Sequence, residues 1–558
     1  MIKLFTPLWL LAMLCSMGNT IAQQIQINLA KEYQTITGFG GFGAKKVWWD
    51  SAPFHDAEYL TQTVDNLGCS IFRTQVYYDF EPVNDNNDPN VMDESKLKFG
   101  TTSDNGKQFA FLKDVNAKGA KIIASVWTPP GWMKDFSDAA TVPDECYNCW
   151  NCPKPWTYPI PENRKMCGGS IKSDMYEEFA EYLVAYVKIV KKQTGIDIYG
   201  LSIQNEALFA NPFESAVLKP KPYADLLKVV GARFKKEGLP QLFFGPEHMG
   251  EYTWVPGNKE YVNQLFNQST VGKDYLNMYA VHGYLDGVAN DFGSATGWTS
   301  LYNEITVKHG KPLWMTETGN LVENNFDQGF KFAKGLHLAL RFGHISGWVF
   351  WGISGNLLNG NTLTHTGNSM KMYYKHVRPG YINVEATTSD PGILVTAYKK
   401  NKGLVVVAIN NTDNAKTVQL NTGATPIPST FKVYRYSENE TGEMVNSVSN
   451  NSFALPANSI STIVFEDNTT AVEESLDASN LKIYPTEVYN NVVNIEYTGN
   501  VGLKNISLIS IDGKVVKNIV VNNRESSIVL STDGVKKGLY IVKVSTENSV
   551  KSQKIHIQ

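Results

Sequence analysis

Two apolar segments of the chain each end in a glutamate. "YGLSIQNEAL" (199–208) runs from apolar residues into Asn205 and Glu206, and "KPLWMTETGN" (311–320) reaches Glu317 in the same way. Buried strands more often end in turn residues such as Gly, Asn or Asp. Two carboxylic acids that end separate strands can perform acid–base and nucleophilic chemistry if the fold brings them together.

Cleavage of a glycosidic bond is the reaction that such a pair supports most directly. It needs a proton for the leaving oxygen and a nucleophile or base at the anomeric carbon, and retaining enzymes hold two carboxyl groups about 5 to 5.5 Å apart for these tasks. A single strand-end glutamate is usually a solvated or salt-bridged acid, but the pair predicts Glu206 and Glu317 as catalytic residues. We expect no cofactor and no metal, because no His, Asp and Glu cluster in the sequence has ligand spacing outside one cysteine-rich segment.

Alternating short apolar and longer amphipathic segments predict the elements that position this pair. The short segments predict strands at 36–43, 70–76, 121–127, 198–204, 241–246, 277–284, 312–317 and 347–352. A helix is predicted at 174–195, where apolar residues recur at helical spacing and Gly195 supplies the stop. Eight strands separated by helices over about 315 residues predict an α/β fold, the (β/α)8 barrel. The alternative is an open doubly wound sheet, but "GFGGFG" (38–43) lacks the context of a dinucleotide site.

Barrel enzymes build their active sites at the C-terminal ends of the strands and in the loops that follow. Several polar and aromatic residues lie at these predicted ends, namely Arg73, Trp127, Asn205, Glu247, His248, His282, Tyr284 and Trp351. We expect Asn205 to hydrogen-bond a sugar hydroxyl, and Trp127 and Trp351 to stack on sugar faces.

The other three substrate-site candidates have more specific expected contacts. His248 is expected to line a subsite, unless it only shapes the rim of the mouth. Tyr284 shares one face of its strand with His282 and is expected to hydrogen-bond the nucleophile. Arg73 either orients a catalytic carboxylate or closes a structural ion pair.

Four cysteines form the segment "CYNCWNCPKPWTYPIPENRKMC". They are Cys146, Cys149, Cys152 and Cys167. Their two CxxC steps would also suit zinc or an iron–sulfur cluster. The N-terminal sequence predicts export, and the oxidising environment outside the cytoplasm favours disulfides instead. The sequence does not choose between the possible pairings. Cys69 precedes an apolar strand and is expected to be a buried thiol.

The N-terminus has the features of an export signal. "MIKLFTPLWLLAMLCSMGNTIAQ" combines Lys3, an apolar stretch and a small-residue cleavage site, which predicts a signal peptide at 1–22. No other apolar run approaches about 18 residues, so we expect no membrane span. The net charge of −3 gives no electrostatic basis for binding nucleic acid.

The chain is too long for one core, and its pattern changes after residue 380. We predict a barrel at 23–382 and a side β-sandwich at 383–467, which the N-terminal strand "QIQINLA" could join. A polar, acidic linker is expected at 468–480, followed by another small all-β unit at 481–558. We expect the protein to be a monomer.

Several motifs together resemble glycoside hydrolase family 30. They are "TGFGGFG", "WTPPGWMK", "LSIQNE", "AVHGYLD", "LWMTE" and "RPGYINVEAT", and the resemblance covers about residues 25–467. The family combines a (β/α)8 barrel with a side β-sandwich and hydrolyses β-glycosides with retention. The resemblance implies Glu206 as the acid/base and Glu317 as the nucleophile.

The resemblance is closest to the xylanase branch, with one departure. Glucuronoxylanases hold the substrate's glucuronate through an Arg shortly after the eighth strand, whereas "WGISGNLLNGNTLTHTGNSMK" (351–371) contains no Arg and its first cation is Lys371. The cysteine-bearing insert 138–169 also lies outside the family pattern and is expected to affect specificity. The resemblance implies a secreted endo-β-glycanase acting on a plant or algal polysaccharide, foremost xylan. The alternatives are a β-1,6-glucanase, a β-1,6-galactanase, or a surface glycan-binding protein on an inactive scaffold.

The last residues resemble the C-terminal sorting domain of the type IX secretion system. The similar segments are "LKIYPTEVYNNVVNIEY", "ISLISIDGKVV" and "GLYIVKVSTENSVKSQKIHIQ", in which "YPTE" replaces the usual "YPNP". This resemblance implies the type IX machinery as a partner and a secreted or cell-surface location. The alternative is a small carbohydrate-binding sandwich, which the absence of tryptophan after Trp351 disfavours.

Overall fold

The computed structural model describes most of the chain in two compact units, residues 1–466 and 467–558. The described residues are 23–43, 57–144, 146, 164–249, 256–284, 295–319, 323–426, 431–445, 452–465, 481–497, 503–511, 514–521, 527–545 and 550–558. The predicted signal peptide (1–22), the predicted linker (468–480), Cys149 and Cys152 lie outside them.

A closed barrel of parallel strands forms the centre of the first unit, which confirms the predicted fold class. After strand β1 (Gln23–Thr35), the barrel strands in order around the ring are β2 (Gly38–Phe42), β3 (Ile71–Val76), β4 (Lys121–Val126), β7 (Gly200–Ser202), β8 (Leu242–Met249), β9 (Met278–His282), β10 (Leu313–Glu317) and β11 (Gly347–Phe350). Strand β11 pairs with β2 and closes the ring. Two short two-stranded antiparallel sheets accompany the barrel, β5 (Lys134–Asp135) with β6 (Ser170–Ile171), and β12 (Leu358–Asn359) with β13 (Thr362–Leu363).

Helices separate the barrel strands along the chain. They are α1 (Ala57–Leu60), α2 (Asp104–Ala117), α3 (Tyr176–Thr194), α4 (Pro220–Lys236), α5 (Pro256–Val262), α6 (Val271–Tyr275), α7 (Ala295–Tyr302), α8 (Phe326–Phe342) and α9 (His365–Tyr374). Helix α3 confirms the prediction from helical spacing, and it ends at Gly195, whose φ of 80° is the left-handed conformation that glycine adopts without strain.

A layer of apolar side chains fills the barrel below the strand ends. It contains Ile71, Ile123, Phe244, Met278, Ala280, Trp314 and Val349. Side chains alternate between the two faces of a strand, so the residue two positions later points the same way. Arg73 therefore follows Ile71 into the barrel, and Ser125 follows Ile123.

Two barrel strands break this alternation at a glutamate. Phe244 and Trp314 point inward, so strict alternation would put Glu247 and Glu317, three residues later, on the outside. The pairing of β8 and of β10 with β9 is irregular at these two glutamates. Such bulges redirect a side chain, which brings both carboxylates to the barrel mouth.

The bulge in β8 also corrects a predicted boundary. The sequence indicated that this strand ends at residue 246, with Glu247 and His248 in the loop that follows. The strand instead continues to Met249, and Glu247 adopts a φ of 56° within it. A proline followed by a residue of positive φ is typical of a turn, whereas here Pro246 and Glu247 form a distortion inside a strand.

The side sandwich contains a nine-stranded sheet that includes the N-terminal strand. The order is β19-β18-β21-β16-β15-β14-β1-β17-β20. The new strands are β14 (Ile382–Thr388), β15 (Ile393–Lys400), β16 (Gly403–Asn410), β17 (Lys416–Asn421), β18 (Lys432–Ser437), β19 (Glu440–Val445), β20 (Ser452–Leu455) and β21 (Ser459–Phe465). Strand β16 is buried on both faces: Val406 packs in the sandwich core, while Val405 and Val407 pack with the barrel core. This two-sided burial explains its continuous apolar sequence.

The second unit is a separate small all-β domain. One sheet contains β22 (Leu481–Tyr484), β24 (Val492–Tyr497) and β27 (Ser527–Ser531), and the other contains β23 (Glu487–Val488), β25 (Asn505–Ser510), β26 (Val515–Val520), β28 (Gly538–Ser545) and β29 (Val550–Ile557). Its core includes Val493, Leu508 and Val542, all fully buried. Across the described parts of both units, no helix has the length and apolar character needed to cross a membrane.

The glycine-rich segment of β2 provides a test of the barrel packing. A Cβ atom on Gly40 would lie 1.7 Å from the carbonyl oxygen of Ile71 on the neighbouring strand, whereas one on Gly100 would meet no atom within 4 Å. We expect Gly40→Ala to lower the free energy of unfolding by about 3 kcal/mol or more, because backbone must move. Gly100→Ala is the control and should change it by less than about 0.5 kcal/mol. Urea unfolding followed by tryptophan fluorescence measures both, and equal stabilities would contradict the packing described.

Candidate active site

The barrel mouth brings the two strand-end glutamates together. Glu206 lies in the turn after β7 with a φ of 44°, and Glu317 is the last residue of β10. One carboxylate oxygen of each and a ring nitrogen of His282 all lie within 4.8 Å of one another. Glu206 is 8% exposed and Glu317 5%, so both are nearly buried yet reachable at the mouth.

Arg73 joins the groups beneath this pair. Its Nη1 donates to Glu317 Oε2 at 2.5 Å, its Nη2 to Asn205 Oδ1 at 2.6 Å, and its Nε to Ser125 Oγ at 3.1 Å. Its Nη2 also lies 3.0 Å from Glu247 Oε1. Burial disfavours the guanidinium charge, but Glu247 and Glu317 outweigh it and raise the pKa of Arg73. Arg73 therefore makes both contacts that the sequence left as alternatives, one to Glu317 and one to a buried partner.

His282 connects three carboxylates. Its Nδ1 lies 3.2 Å from Glu206 Oε1 and 3.9 Å from Glu317 Oε2, and its Nε2 lies 3.4 Å from Glu247 Oε1. Burial would lower the pKa of His282, but Glu317, Glu206 and Glu247 together raise it to about 9. Burial would likewise raise the pKa of Glu247, but Arg73 and His282 hold it at about 2. At neutral pH the buried ring is therefore a cation that donates from both nitrogens.

This protonation state bears on metal binding. Glu206, His282 and Glu317 are close enough to share one metal ion. A metal there would have to displace a proton of His282, and Arg73 already supplies positive charge to Glu317. The donor set as it stands fits acid–base chemistry better than metal ligation.

Each of the two strand-end glutamates has a further donor. The Tyr284 hydroxyl donates to Glu317 Oε1, the contact that the sequence predicted for the nucleophile. Burial and the nearby Glu317 charge raise the pKa of Tyr284 well above its usual value, so the hydroxyl keeps its proton. Asn211 Nδ2 donates to Glu206 Oε2 at 3.0 Å.

The two candidate stacking residues differ in exposure. Trp127 is 3% exposed, and the guanidinium of Arg73 covers its ring at 4.4 Å. Trp351 is half-buried and stacks on Phe42 with ring centroids 4.9 Å apart. Trp351 is thus the better placed of the two to meet a sugar, while Trp127 supports Arg73 by a cation–π contact.

His248 packs inside rather than at the open mouth. It is 2% exposed, and its ring lies 5.4 Å from that of Phe209 and 5.9 Å from that of Tyr261. Burial and the neighbouring His282 cation lower the pKa of His248 to about 4, so the ring is neutral. Contact between His248 and substrate stays a prediction.

The cysteine-bearing insert is attached to the loop that holds Glu206. Cys146 and Cys167 form a disulfide, which confirms a bridge here, and Cys69 is a buried free thiol as expected. Next to Cys167, the amide of Gly168 bonds Ser215 Oγ at 2.9 Å, and Ser215 Oγ donates to the carbonyl of Asn211 at 2.8 Å.

Sequence reasoning missed two residues of this site. Ser125 follows Ile123 at the spacing of two that marks one strand face, so alternation could have indicated it. Asn211 lies in an irregular loop five residues after Glu206, where no periodicity signals which side chain turns back toward the strand end.

The buried imidazolium predicts a pH dependence of stability. Because the pKa of His282 is raised in the folded state, its protonation stabilises the fold fully at pH values below the unfolded pKa of about 6.5. This stabilisation is lost as the pH rises through about 9. We expect the unfolding free energy of wild type to fall over this range by up to about 3 kcal/mol more than that of His282→Gln. Urea titrations at pH 6.5 and 9.5 measure the difference.

The control for this prediction is His365→Gln, which removes an imidazole that contacts the Tyr436 hydroxyl instead of this carboxylate group. Its pH dependence should follow wild type. If His282→Gln also follows wild type, the imidazole is not held as a cation by the three carboxylates.

Comparison with known proteins gives relatives for each unit. Residues 482–558 match the family model described as a secretion system C-terminal sorting domain. The glucuronoxylanase XynC of Bacillus subtilis (strain 168) is 23% identical over 474 residues, covering 79% of this chain and 92% of the relative. A GH30 endoxylanase structure from Clostridium papyrosolvens C71 has a TM-score of 0.60 and 24% identity, covering 79% of this chain and 100% of that one. An endo-β1,6-glucanase structure has a TM-score of 0.59 and 18% identity, covering 80% and 95%.

These matches agree with the motifs and with the observed fold. The two xylanase relatives and the glucanase each align over about four-fifths of this chain, and the sorting-domain match begins at residue 482. The comparisons therefore confirm that the chain resembles the xylanases of glycoside hydrolase family 30 and carries a secretion system C-terminal sorting domain at its end.

Proposed function

We propose that the protein is an exported endo-β-glycanase that hydrolyses the backbone of xylan with retention of anomeric configuration. The observation that carries this proposal is the approach of the Glu206 and Glu317 carboxylate oxygens to within 4.8 Å. Retaining glycosidases hold their two carboxyl groups about 5 to 5.5 Å apart, whereas inverting enzymes need about 6.5 to 9.5 Å to admit a water.

In the first step, Glu317 attacks the anomeric carbon while Glu206 gives a proton to the leaving glycosidic oxygen. The bond from C1 to the leaving oxygen breaks, and a bond from C1 to a Glu317 oxygen forms. The Arg73 cation and the Tyr284 hydroxyl each donate to a different Glu317 oxygen and fix the direction of attack.

In the second step, Glu206 takes a proton from a water molecule that attacks the same carbon. The ester bond to Glu317 breaks, and the sugar is released with its original configuration. Nδ1 of the His282 cation lies 3.2 Å from Glu206 Oε1. It stabilises the carboxylate form of Glu206, which exists after Glu206 has given its proton and before it takes another.

The surroundings of the two glutamates support this division of roles. Glu317 accepts hydrogen bonds from the guanidinium of Arg73 and the phenol of Tyr284, which suits a group that must remain an anion until it attacks. Glu206 receives the neutral amide of Asn211 and shares His282 with Glu247, which suits a group that exchanges a proton. Asn205 Oδ1 is held by Arg73, so its Nδ2 is oriented to donate to a sugar hydroxyl.

The surroundings of Lys371 support xylan cleavage that does not depend on glucuronate. Lys371 is the first cation after β11, but it is 2% exposed and pairs with Glu443 of the side sandwich at 2.7 Å. It is therefore committed to another partner and is poorly placed to replace the glucuronate-binding Arg of the glucuronoxylanases.

One alternative substrate and one alternative class follow from particular observations. The endo-β1,6-glucanase structure matches almost as well as the xylanase, which keeps a β-1,6-glucan or β-1,6-galactan as the second candidate. A glycan-binding protein without activity would need neither the paired carboxylates nor their matched donors, so the site disfavours that class.

The sorting domain supports passage through the type IX secretion machinery. Residues 482–558 match that class of domain, and a polysaccharide too large to enter a cell requires an enzyme outside it. We propose a secreted or cell-surface location, with the polysaccharide and the secretion machinery as partners.

The assigned roles predict different losses in two variants. Glu317→Gln should lose turnover by about 10³-fold or more on every substrate, because the nucleophile is gone. Glu206→Gln should be slow on polysaccharide but lose much less on an aryl glycoside, whose leaving group needs no proton. Steady-state kinetics on both substrates measure this contrast.

Glu177→Gln is the matched control, because Glu177 is an exposed glutamate on α3. It should retain wild-type turnover, and circular dichroism should show all three variants folded at the assay temperature. A Glu317→Gln variant that hydrolyses polysaccharide at a near wild-type rate would sink the assignment.

The substrate prediction requires a panel of polysaccharides. We expect a ladder of oligomers from arabinoxylan and glucuronoxylan at similar rates, and little release from β-1,6-glucan or β-1,6-galactan. Chromatography of the products reveals the linkage and the endo action, and NMR of the first product reveals its anomeric form. Cleavage of glucuronoxylan alone would show that a group other than Lys371 binds glucuronate. If the protein cleaved only a β-1,6-glycan, that glycan would replace xylan as the proposed substrate.

A further inference from the structure

A second group of carboxylates lies outside the catalytic pair. Glu81 and Asp85 belong to the loop that follows β3, and Glu181 lies in the second turn of α3. One oxygen of each of these three residues lies within 4.8 Å of the other two. The group was not visible as ligand spacing in the sequence, because Glu181 is distant from the others along the chain.

Aromatic packing holds this loop against the helix. The ring of Phe80 lies 6.0 Å from that of Tyr182 and 5.4 Å from that of Tyr186, both on α3. The Tyr182 hydroxyl donates to the carbonyl of Tyr77 at 2.7 Å. Since Tyr182 and Phe80 adjoin Glu181 and Glu81, these contacts fix the carboxylates opposite each other.

Several oxygens of this group are buried without a hydrogen-bond partner among the described residues. Glu181 is 2% exposed and both of its carboxylate oxygens are unpartnered, and Glu81 is fully buried with Oε2 unpartnered. Glu178, one turn earlier on the same face of α3, adds another such oxygen. Buried carboxylates normally have a donor or a cation, because a buried carboxylate without either is strongly unfavourable.

Nearby positive charge does not balance the group. Arg233 is the cation that acts on Glu181, but its Nε donates to Glu237 and its Nη1 to the carbonyl of Pro89 at 2.7 Å.

We propose that Glu81, Asp85 and Glu181 bind a divalent cation, with calcium as the ion that fits best. Calcium takes oxygen ligands at about 2.3 to 2.6 Å, so ligating oxygens on opposite sides of the ion lie at most about 5 Å apart, as here. Three carboxylates without nitrogen or sulfur donors suit a hard cation. An exported protein meets calcium at concentrations that fill even weak sites, with Kd of about 10⁻⁴ to 10⁻³ M.

The ion has a structural role at the rim of the mouth. The carbonyl of Glu81 accepts a hydrogen bond from Trp132 Nε1 at 3.1 Å, which ties the site to the segment after β4. Asp85 Oδ2 accepts from the amide of Asp93 at 2.5 Å and closes the loop on itself. The cation therefore joins α3 to two mouth loops, and it takes no part in the two-glutamate reaction.

Thermal unfolding and terbium luminescence of the full exported chain test the site. Calcium at millimolar concentration should raise the Tm of chelator-treated wild type by several degrees, and EDTA should reverse the gain. Terbium, excited through nearby rings such as Trp132 and Tyr182, should luminesce when bound and be displaced by calcium.

Glu181→Gln should abolish the calcium gain in Tm and the terbium signal. In EDTA this variant should be at least as stable as wild type, because one uncompensated carboxylate is removed. The exposed Glu177→Gln should retain both responses. Glu317→Gln should also retain them, which separates this group from any terbium bound in the catalytic mouth.

The proposal is overturned if calcium and EDTA leave the Tm of wild type unchanged. It is equally overturned if the terbium signal persists in Glu181→Gln or is lost in Glu317→Gln. The carboxylates would then be held by shared protons or would not bind the ion.

Discussion

The guanidinium of Arg73 is the charge on which the rest of the candidate active site depends. It is fully buried at the top of the packed barrel, so the free energy lost by removing its charge from water must be offset by carboxylates that contact it. Glu247 and Glu317 supply that compensation, and the His282 cation balances the second negative charge. Removing one member would leave another charge buried without a partner, a loss of about 3 to 5 kcal/mol. Glu317, the proposed nucleophile, is thus positioned by the same interactions that compensate the buried charges.

This ionic group requires the backbone to depart from regular geometry. Glu206 and Glu247 both have positive φ values, which cost about 1 to 3 kcal/mol each in residues other than glycine. Glu247 and Glu317 point inward only because their strands are irregular opposite β9. The apolar layer below, with Trp314 and Phe244, holds the strands firmly enough to maintain these distortions.

The sequence revealed the parts of this arrangement that depend on local patterns. Apolar periodicity located the barrel strands, and their polar ends identified Glu206, Glu317 and the Tyr284 contact. The sequence did not reveal that Arg73 would bind two carboxylates at once, because the bulge that turns Glu247 inward arises from pairing between strands. For the same reason the strand was predicted to end before Glu247.

The carboxylates outside the catalytic pair were missed for a different reason. Glu81 and Glu181 come together through packing of a loop on a helix, and helical spacing alone marks Glu181 as one more position on α3. Its burial contradicts the usual exposure of glutamate, but burial is known only once the neighbours are placed. Tertiary contacts, and not local propensity, therefore determine which acidic side chains the fold brings together.

The two glutamates that we propose as catalytic residues are held by different parts of the molecule. Glu317 is fixed by Arg73, whose side chain stands within the rigid barrel. Glu206 depends in part on Asn211, whose loop is bonded through Ser215 to the end of the disulfide-bearing insert. A change in that insert would affect Glu206, the proposed proton donor, while leaving Glu317 in place. Under the proposed mechanism, sequence variation in the insert can therefore adjust the protonation of the leaving group without disturbing the buried charges around Glu317.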